Sequence, residues 1–264
     1  MYETRYHRPQ SLSEAIGLFA GDARFISGGQ TLLPTMKQRL AAPTDLIELS
    51  RLAELRGIAA TSDLVSIGAA MTHAEVATSD TVRKAIPALA TLAGMIGDPA
   101  VRHLGTIGGS LAANDPAADY PAAVLALGAT VHTNRRAIPG EAYFAGLFRT
   151  VLEDGEIIVG VDFPVPARVG YEKFRNPASR YAMAGVFVAR MKDGALRVAV
   201  TGAGNNGVFR ATVIEEALSN SWSASAIDAV TIDVAGMLSD IHGTAAYRAN
   251  LVKVMTKRAV AAIG

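Results

Sequence analysis

Cysteine is absent from all 264 residues. That excludes disulfides, thiolate zinc sites, a cysteine nucleophile and any iron–sulfur cluster held by the chain's own cysteines. Charge of one sign is also missing: the net charge is +1, with acids and bases interspersed. Neither the basic footprint of a nucleic-acid binder nor a polybasic membrane anchor is present, so nucleic acid is not expected as a partner. No apolar run reaches the roughly eighteen residues that span a bilayer. Met1–Pro9 lacks the apolar core of a secretory leader. No transmembrane segment is expected, and the expected location is cytoplasmic. Hydrolytic signatures are missing too: the five histidines are scattered, and neither a Gly-x-Ser-x-Gly elbow nor a histidine pair at metal-ligand spacing occurs. No metal site and no catalytic residue of the chain's own are expected.

What is present is apolar material, half of the residues, enough for a sizeable core in one large or two modest domains. The stretch Val101–Pro121 concentrates small residues, hydroxyls and acids between two apolar segments. Its adjacent Gly108 and Gly109 allow backbone to approach a ligand and turn successive N–H groups onto one point, as in a phosphate cradle. Thr106 and Ser110 add hydroxyls, and Asp119 offers a carboxylate to ligand hydroxyls. A glycine-rich turn of purely structural use is the competing reading. A second diglycine occurs at Ser27-Gly28-Gly29-Gln30-Thr31. It follows a short strand at 24–27 and precedes a helix at 32–40 whose Pro34 lies in the first turn. A strand, a glycine loop and a helix start make an anion site, and a pyrophosphate has two phosphates to hold.

Elsewhere, residues 11–20 carry a hydroxyl cap and a helical apolar face, and 45–49 and 64–69 read as strands. Thr72 and Glu75 form a capping-box pattern at a helix start, which makes His73 a first-turn surface residue. Residues 82–96 read as one helix stopped at Gly97-Asp98-Pro99, with further helices at 120–129 and 142–147 and strands at 130–133 and 156–164. Beyond 166, segments at 170–175, 184–190 and 196–200 predict a three-stranded antiparallel meander, followed by helices at 212–219, 223–239 and 244–263. Gly202-Ala203-Gly204-Asn205-Asn206-Gly207 fits a dinucleotide-binding spacing. It lacks the parallel βαβ context that such a site requires, and a turn from sheet to helix explains it more simply.

The two diglycine segments, taken in order with Asn114-Asp115-Pro116-Ala117-Ala118-Asp119, resemble the FAD-binding medium subunits of molybdenum-containing hydroxylases, the carbon monoxide and xanthine dehydrogenase family. The resemblance runs along the whole chain. It implies an α+β architecture: a vanillyl-alcohol-oxidase/PCMH-type FAD-binding fold of two α/β subdomains (1–55 and 56–165) and a C-terminal flavoprotein domain (166–264) of three-stranded sheet and helices.

That likeness implies FAD as cofactor, held by Ser27, Gly28, Gly29, Gln30 and Thr31 together with Thr106, Ile107, Gly108, Gly109, Ser110 and Asp119. It also places Ile158, Lys173 and Tyr181 near the flavin, where a cation at Lys173 would favour the reduced ring. Sheet core for Ile158, a surface position for Lys173 and a core position for Tyr181 are the structural alternatives. The implied partners are a small 2Fe-2S subunit and a large molybdopterin subunit, assembled as a dimer of heterotrimers. The implied role is electron transfer from the partner's clusters through FAD to an external acceptor. A self-contained FAD-dependent oxidase or dehydrogenase of the same flavin-binding superfamily is the alternative.

Overall fold

Three sheets follow one another along the chain in a computed structural model that describes residues 1–263. The first is parallel, in the order β1-β3-β2, and comprises β1 (Arg5–His7), β2 (Arg24–Ile26) and β3 (Asp45–Glu48). Two short helices serve it, α1 (Leu12–Gly17) and α2 (Leu32–Lys37). The Ser11 side chain accepts the Glu14 N–H and starts α1, as its cap position predicts. Pro34 sits in the first turn of α2, where no intrahelical N–H is lost. The helix ends three residues before the expected Leu40, and Arg39 turns left-handed at φ 62°.

The middle region holds β4 (Ile58–Ala60), β5 (Leu64–Gly68), β6 (Thr130–Thr133), β7 (Ala137–Pro139) and β8 (Ile158–Pro164), antiparallel in the order β4-β5-β8-β6-β7. Between β5 and β6 run α3 (His73–Thr78), α4 (Asp80–Ala85), α5 (Pro87–Gly94), α6 (Pro99–Leu104), α7 (Ile107–Ala113) and α8 (Tyr120–Leu127), and α9 (Gly140–Tyr143) follows β7. The capping box of Thr72 and Glu75 is formed at α3. The single helix expected over 82–96 is two. Proline excludes helical geometry from the residue before it, so Ile86 leaves the helix (φ −140°, ψ 73°) and α5 restarts with Pro87 in its first turn. The helix expected at 142–147 is displaced to α9, because Gly146 and Phe148 take positive φ.

The last region contains β9 (Arg168–Arg175), β10 (Ala182–Arg190), β11 (Leu196–Thr201), β12 (Phe209–Arg210), α10 (Thr212–Asn220) and α11 (Ala245–Ile263). The expected meander is present, and β12 adds a fourth strand, giving β12-β11-β10-β9. The Gly202–Gly207 turn therefore lies between antiparallel strands. No helix occupies 223–239, which holds two 3-10 turns, Ala224–Ile227 and Val234–Gly236. The Ser221, Ser223 and Ser225 hydroxyls bond one another, and Ser223 caps the first turn; such side chains compete with helix for the backbone.

Alternation along β10 and β11 faces this sheet in two directions. Phe187, Ala189 and Ala199, with Tyr171 of β9, join the core of the middle region beside Leu89 and Leu92 of α5 and Val124 of α8. Val186, Val188, Val198 and Val200 pack instead against Ile214 and Leu218 of α10 and Val252 and Met255 of α11. One apolar core thus runs from the middle helices onto the last sheet.

Polar groups fasten the same joint. The Thr201 hydroxyl donates to the carbonyls of Ala118 (2.6 Å) and Pro116 (3.2 Å), and the Gly202 N–H donates to Pro116 (2.9 Å). Asp119 accepts from the Tyr171 hydroxyl and from Lys173 Nζ, which lies 2.8 Å from Oδ1 and 2.9 Å from Oδ2. The Lys173 side chain is fully enclosed and also donates to the Met95 carbonyl. Asp119→Ala would leave that ammonium buried without its anion, and we expect a loss of about 3–5 kcal/mol. Urea denaturation of the full chain measures it, and the apolar pair Asp119→Leu with Lys173→Met should lose markedly less.

Candidate cofactor site at the glycine seam

The two diglycine segments meet. Thr106 Oγ1 donates to Ser27 Oγ at 3.0 Å across 79 residues of sequence. A Cβ on Gly28 would stand 2.1 Å from the Leu104 carbonyl oxygen and 2.6 Å from the Gly105 Cα. No side chain fits there, so glycine is required for the contact itself. Gly29 is required for its backbone, at φ 69°.

The two segments differ in what they leave free. Among the described residues, the N–H groups of Gly28, Gly29, Gln30, Thr31 and Leu32 have no acceptor in the protein. Ser27–Gln30 are half-buried and Thr31 is exposed. Consecutive open amides of this kind make a concave donor set for an anion.

The second segment is no such loop, which corrects the expectation for Gly108 and Gly109. Thr106 caps α7, and the glycines lie in its first turn. The Ile107 N–H donates to Met71 (3.1 Å), that of Gly108 to Ala69 (2.9 Å), that of Gly109 to Thr106 Oγ1 and that of Ser110 to the Thr106 carbonyl. Gly108 is glycine because a Cβ would stand 2.7 Å from the Ala69 Cβ. What this side can offer a ligand is the Ser110 hydroxyl and the exposed surface of Gly109; the Thr106 hydroxyl is buried and engaged by Ser27 and the Gly109 N–H.

Asp119 and Lys173 are also placed differently from the expectation. Both are buried, and the carboxylate is engaged by Tyr171 and Lys173. The lysine is neither a surface residue nor an unpaired cation. Burial, and then the Asp119 carboxylate, push the Tyr171 phenol well above its ordinary range. Ile158 lies in the core of the middle sheet. Tyr181 is 55% exposed on the turn between β9 and β10, rather than in the core. Partial burial and then the Asp115 carboxylate raise its phenol pKa. The segment just after α7 and the last sheet therefore come together at this turn.

His73 is not on the surface. It is 5% exposed, and its backbone N–H donates to the Gly105 carbonyl at 2.9 Å. Burial, with Arg102 adding repulsion, holds its pKa down to about 4. Its position beneath Gly105, and the roles of Leu32, Ala69 and Gly105, had no local signal: each acts through a contact between segments remote in sequence.

Shared core and joined glycine segments define a class, an α+β chain with a row of open backbone amides where two remote glycine segments meet. The chain belongs to the family of the FAD binding domain in molybdopterin dehydrogenase, whose model matches residues 2–166. It is 34% identical over 272 residues to the carbon monoxide dehydrogenase medium chain of Hydrogenophaga pseudoflava, covering 97% of this chain and 95% of that one. It is 34% identical to the nicotine 6-hydroxylase medium subunit of Paenarthrobacter nicotinovorans, covering 98% and 97%. Its fold superposes on a chain of reconstituted CO dehydrogenase from Oligotropha carboxidovorans with a TM-score of 0.90 at 32% identity, covering 100% and 99%. The chain is an FAD-binding medium subunit of the molybdenum hydroxylase type, a component of an oxidoreductase, and FAD is its cofactor. Among the described residues, no helix is long and apolar enough to cross a membrane.

Two outcomes follow from this geometry. Gly28→Ala puts a methyl group into the Leu104 carbonyl and must part the segments, so the purified variant should lose its FAD absorbance while keeping its far-ultraviolet dichroism. His73 has a folded pKa of about 4 against an ordinary 6.5. Its contribution to stability is therefore complete above about pH 6.5 and falls away toward pH 4, by roughly 3 kcal/mol in all. Denaturation midpoints measured from pH 7.5 to pH 4.5 should drop more steeply in the wild type than in His73→Phe.

Proposed function

We propose that this chain carries FAD between an iron–sulfur partner and an external acceptor in a three-subunit molybdenum hydroxylase. The observation that carries the reading is the row of open amides from Gly28 to Leu32 beside the Thr106–Ser27 contact. The amides and the Gln30 side chain would take the pyrophosphate, with hydroxyls from Ser27, Thr31 and Ser110, and Thr106 would hold Ser27 in place. Ile107, Gly108 and Gly109 would back this site as a packed wall. Ile158 and Tyr181 would flank the ring, one from the middle sheet and one from the last. Asp119 and Lys173, neutralising each other, would give that side a rigid polar wall with little net charge.

When bound, FAD supplies redox chemistry, taking electrons from a cluster and delivering them onward. The chain's own part is to hold and orient the group and to shield one side of it. Residues 1–55 and 56–165 are proposed as the two halves of the FAD-binding unit and 166–264 as the C-terminal domain. The relatives are named as medium chains and subunits, which supports a small 2Fe-2S subunit and a large molybdopterin subunit as partners, paired into a dimer of heterotrimers. The chain has no cysteine to hold a cluster, so clusters would belong to a partner.

Affinity purification of the full chain from its host tests this reading. The expected product is yellow, with a band at about 450 nm from oxidised flavin, and contains two further polypeptides, molybdenum and iron. A yellow chain that purifies alone, reducing its flavin with a substrate of its own, would instead support the self-contained oxidase.

A further inference from the structure

We propose that His73 is a positioning residue for the cofactor cradle, a flat neutral wedge whose ring sets the height of the Gly105–Thr106 turn against Gly28. The inference rests on the reading of this seam as the FAD pyrophosphate site, and it adds a residue that touches neither diglycine directly.

The contacts form a stack. At the top, Gly28 rests on the Leu104 carbonyl and the Gly105 Cα. Below it, a Cβ on Gly105 would stand 2.7 Å from His73 Nε2 and 2.9 Å from its Cδ2. Beneath the imidazole lies the Tyr120 ring, with centroids 5.5 Å apart and planes tilted by 44°. Two glycines in succession are thus stripped of side chains at the levels where the layers touch. A change in the thickness of the lowest layer is passed upward with little slack.

The ring is fixed from its own element as well. The Thr72–Glu75 capping box sets the first turn of α3, and the Glu75 carboxylate is paired with Arg56. The His73 backbone N–H donates to the Gly105 carbonyl, and Thr72 bridges to Thr106. Thr106 is the residue that carries the hydrogen bond to Ser27.

Packing rather than side-chain hydrogen bonding holds the wedge. His73 Nδ1 and the Tyr120 hydroxyl are both buried and have no hydrogen-bond partner in the protein. A polar ring kept without partners in a full core is costly, and an aromatic of the same thickness should do its positioning work. Chemistry at the imidazole nitrogens has no part in this role.

The test compares the full-length chain with His73→Ala, His73→Phe, Gly105→Ala and the double variant Gly105→Ala/His73→Ala. Two readouts are used: FAD affinity from flavin fluorescence, and, in the FAD-free chain, amide hydrogen exchange of residues 105–109, where Gly105, Ile107, Gly108 and Gly109 donate within the protein. His73→Ala should bind FAD at least about tenfold more weakly and exchange faster at 105–109, whereas His73→Phe should match the wild type in both. Gly105→Ala should also weaken binding, and the double variant should recover part of the loss, because the cavity left by one change receives the methyl group of the other. Wild-type behaviour of His73→Ala, failure of His73→Phe to rescue, or no recovery in the double variant would overturn the role. If the wild type itself binds no FAD at this seam, the reading of the site fails, and the exchange at 105–109 still decides whether His73 positions the turn. Should His73→Ala not fold, the phenylalanine variant and the double variant decide it.

Discussion

The contact between the backbone of Gly28 and that of Leu104 and Gly105 is the constraint on which the rest of the site depends. Two chain segments approach there more closely than any side chain permits. Everything around the contact serves the approach: the left-handed turn at Gly29, the Thr106 hydroxyl reaching Ser27, and α7 seated on Ala69 through Gly108. The outcome is an asymmetric pair. The first segment leaves its amides open, while the second spends its amides and the Thr106 hydroxyl on the fold and leaves the Ser110 hydroxyl and a rigid surface.

A second constraint acts at the joint with the last sheet. Segment 116–119 is gripped by Thr201, Gly202, Tyr171 and Lys173, and one face of that sheet shares the middle core. This ties Tyr181, on the turn just before β10, to the segment that follows α7. A ring bound between the middle region and Tyr181 would therefore feel any shift of the last sheet. Because Lys173 is paired with Asp119 inside the protein, a positive potential from that lysine at the ring would be largely cancelled, since paired charges fall off much faster with distance than a lone one.

Much of this was legible in the residues, and the failures have physical causes. The strand, diglycine and helix at 24–37 could be read locally because each step has its own chemistry: alternation, turn residues, and a proline in the first turn. The Thr72–Glu75 box was equally local. Gly108 and Gly109 misled because a glycine that frees an amide and a glycine that permits close packing look identical in sequence. Pro87 was a local signal overridden by apolar periodicity. Gly97-Asp98-Pro99 does follow the end of the helix before it, with Gly97 left-handed at φ 49°, but Asp98 also caps α6 and Pro99 opens it, a second role that the stop signal hides. The Asp119–Lys173 pair spans 54 residues, and the burial of His73 depends on Gly105 and Tyr120. Such roles follow from packing between distant segments and carry no periodicity of their own.

The most direct measure of the account is residue-resolved amide hydrogen exchange of the full chain with and without saturating FAD. The account predicts strong new protection at Gly28, Gly29, Gln30, Thr31 and Leu32, with Gly108, Gly109 and Ser110 protected alike in both states. New protection confined to 108–110, with 28–32 unchanged, would contradict it.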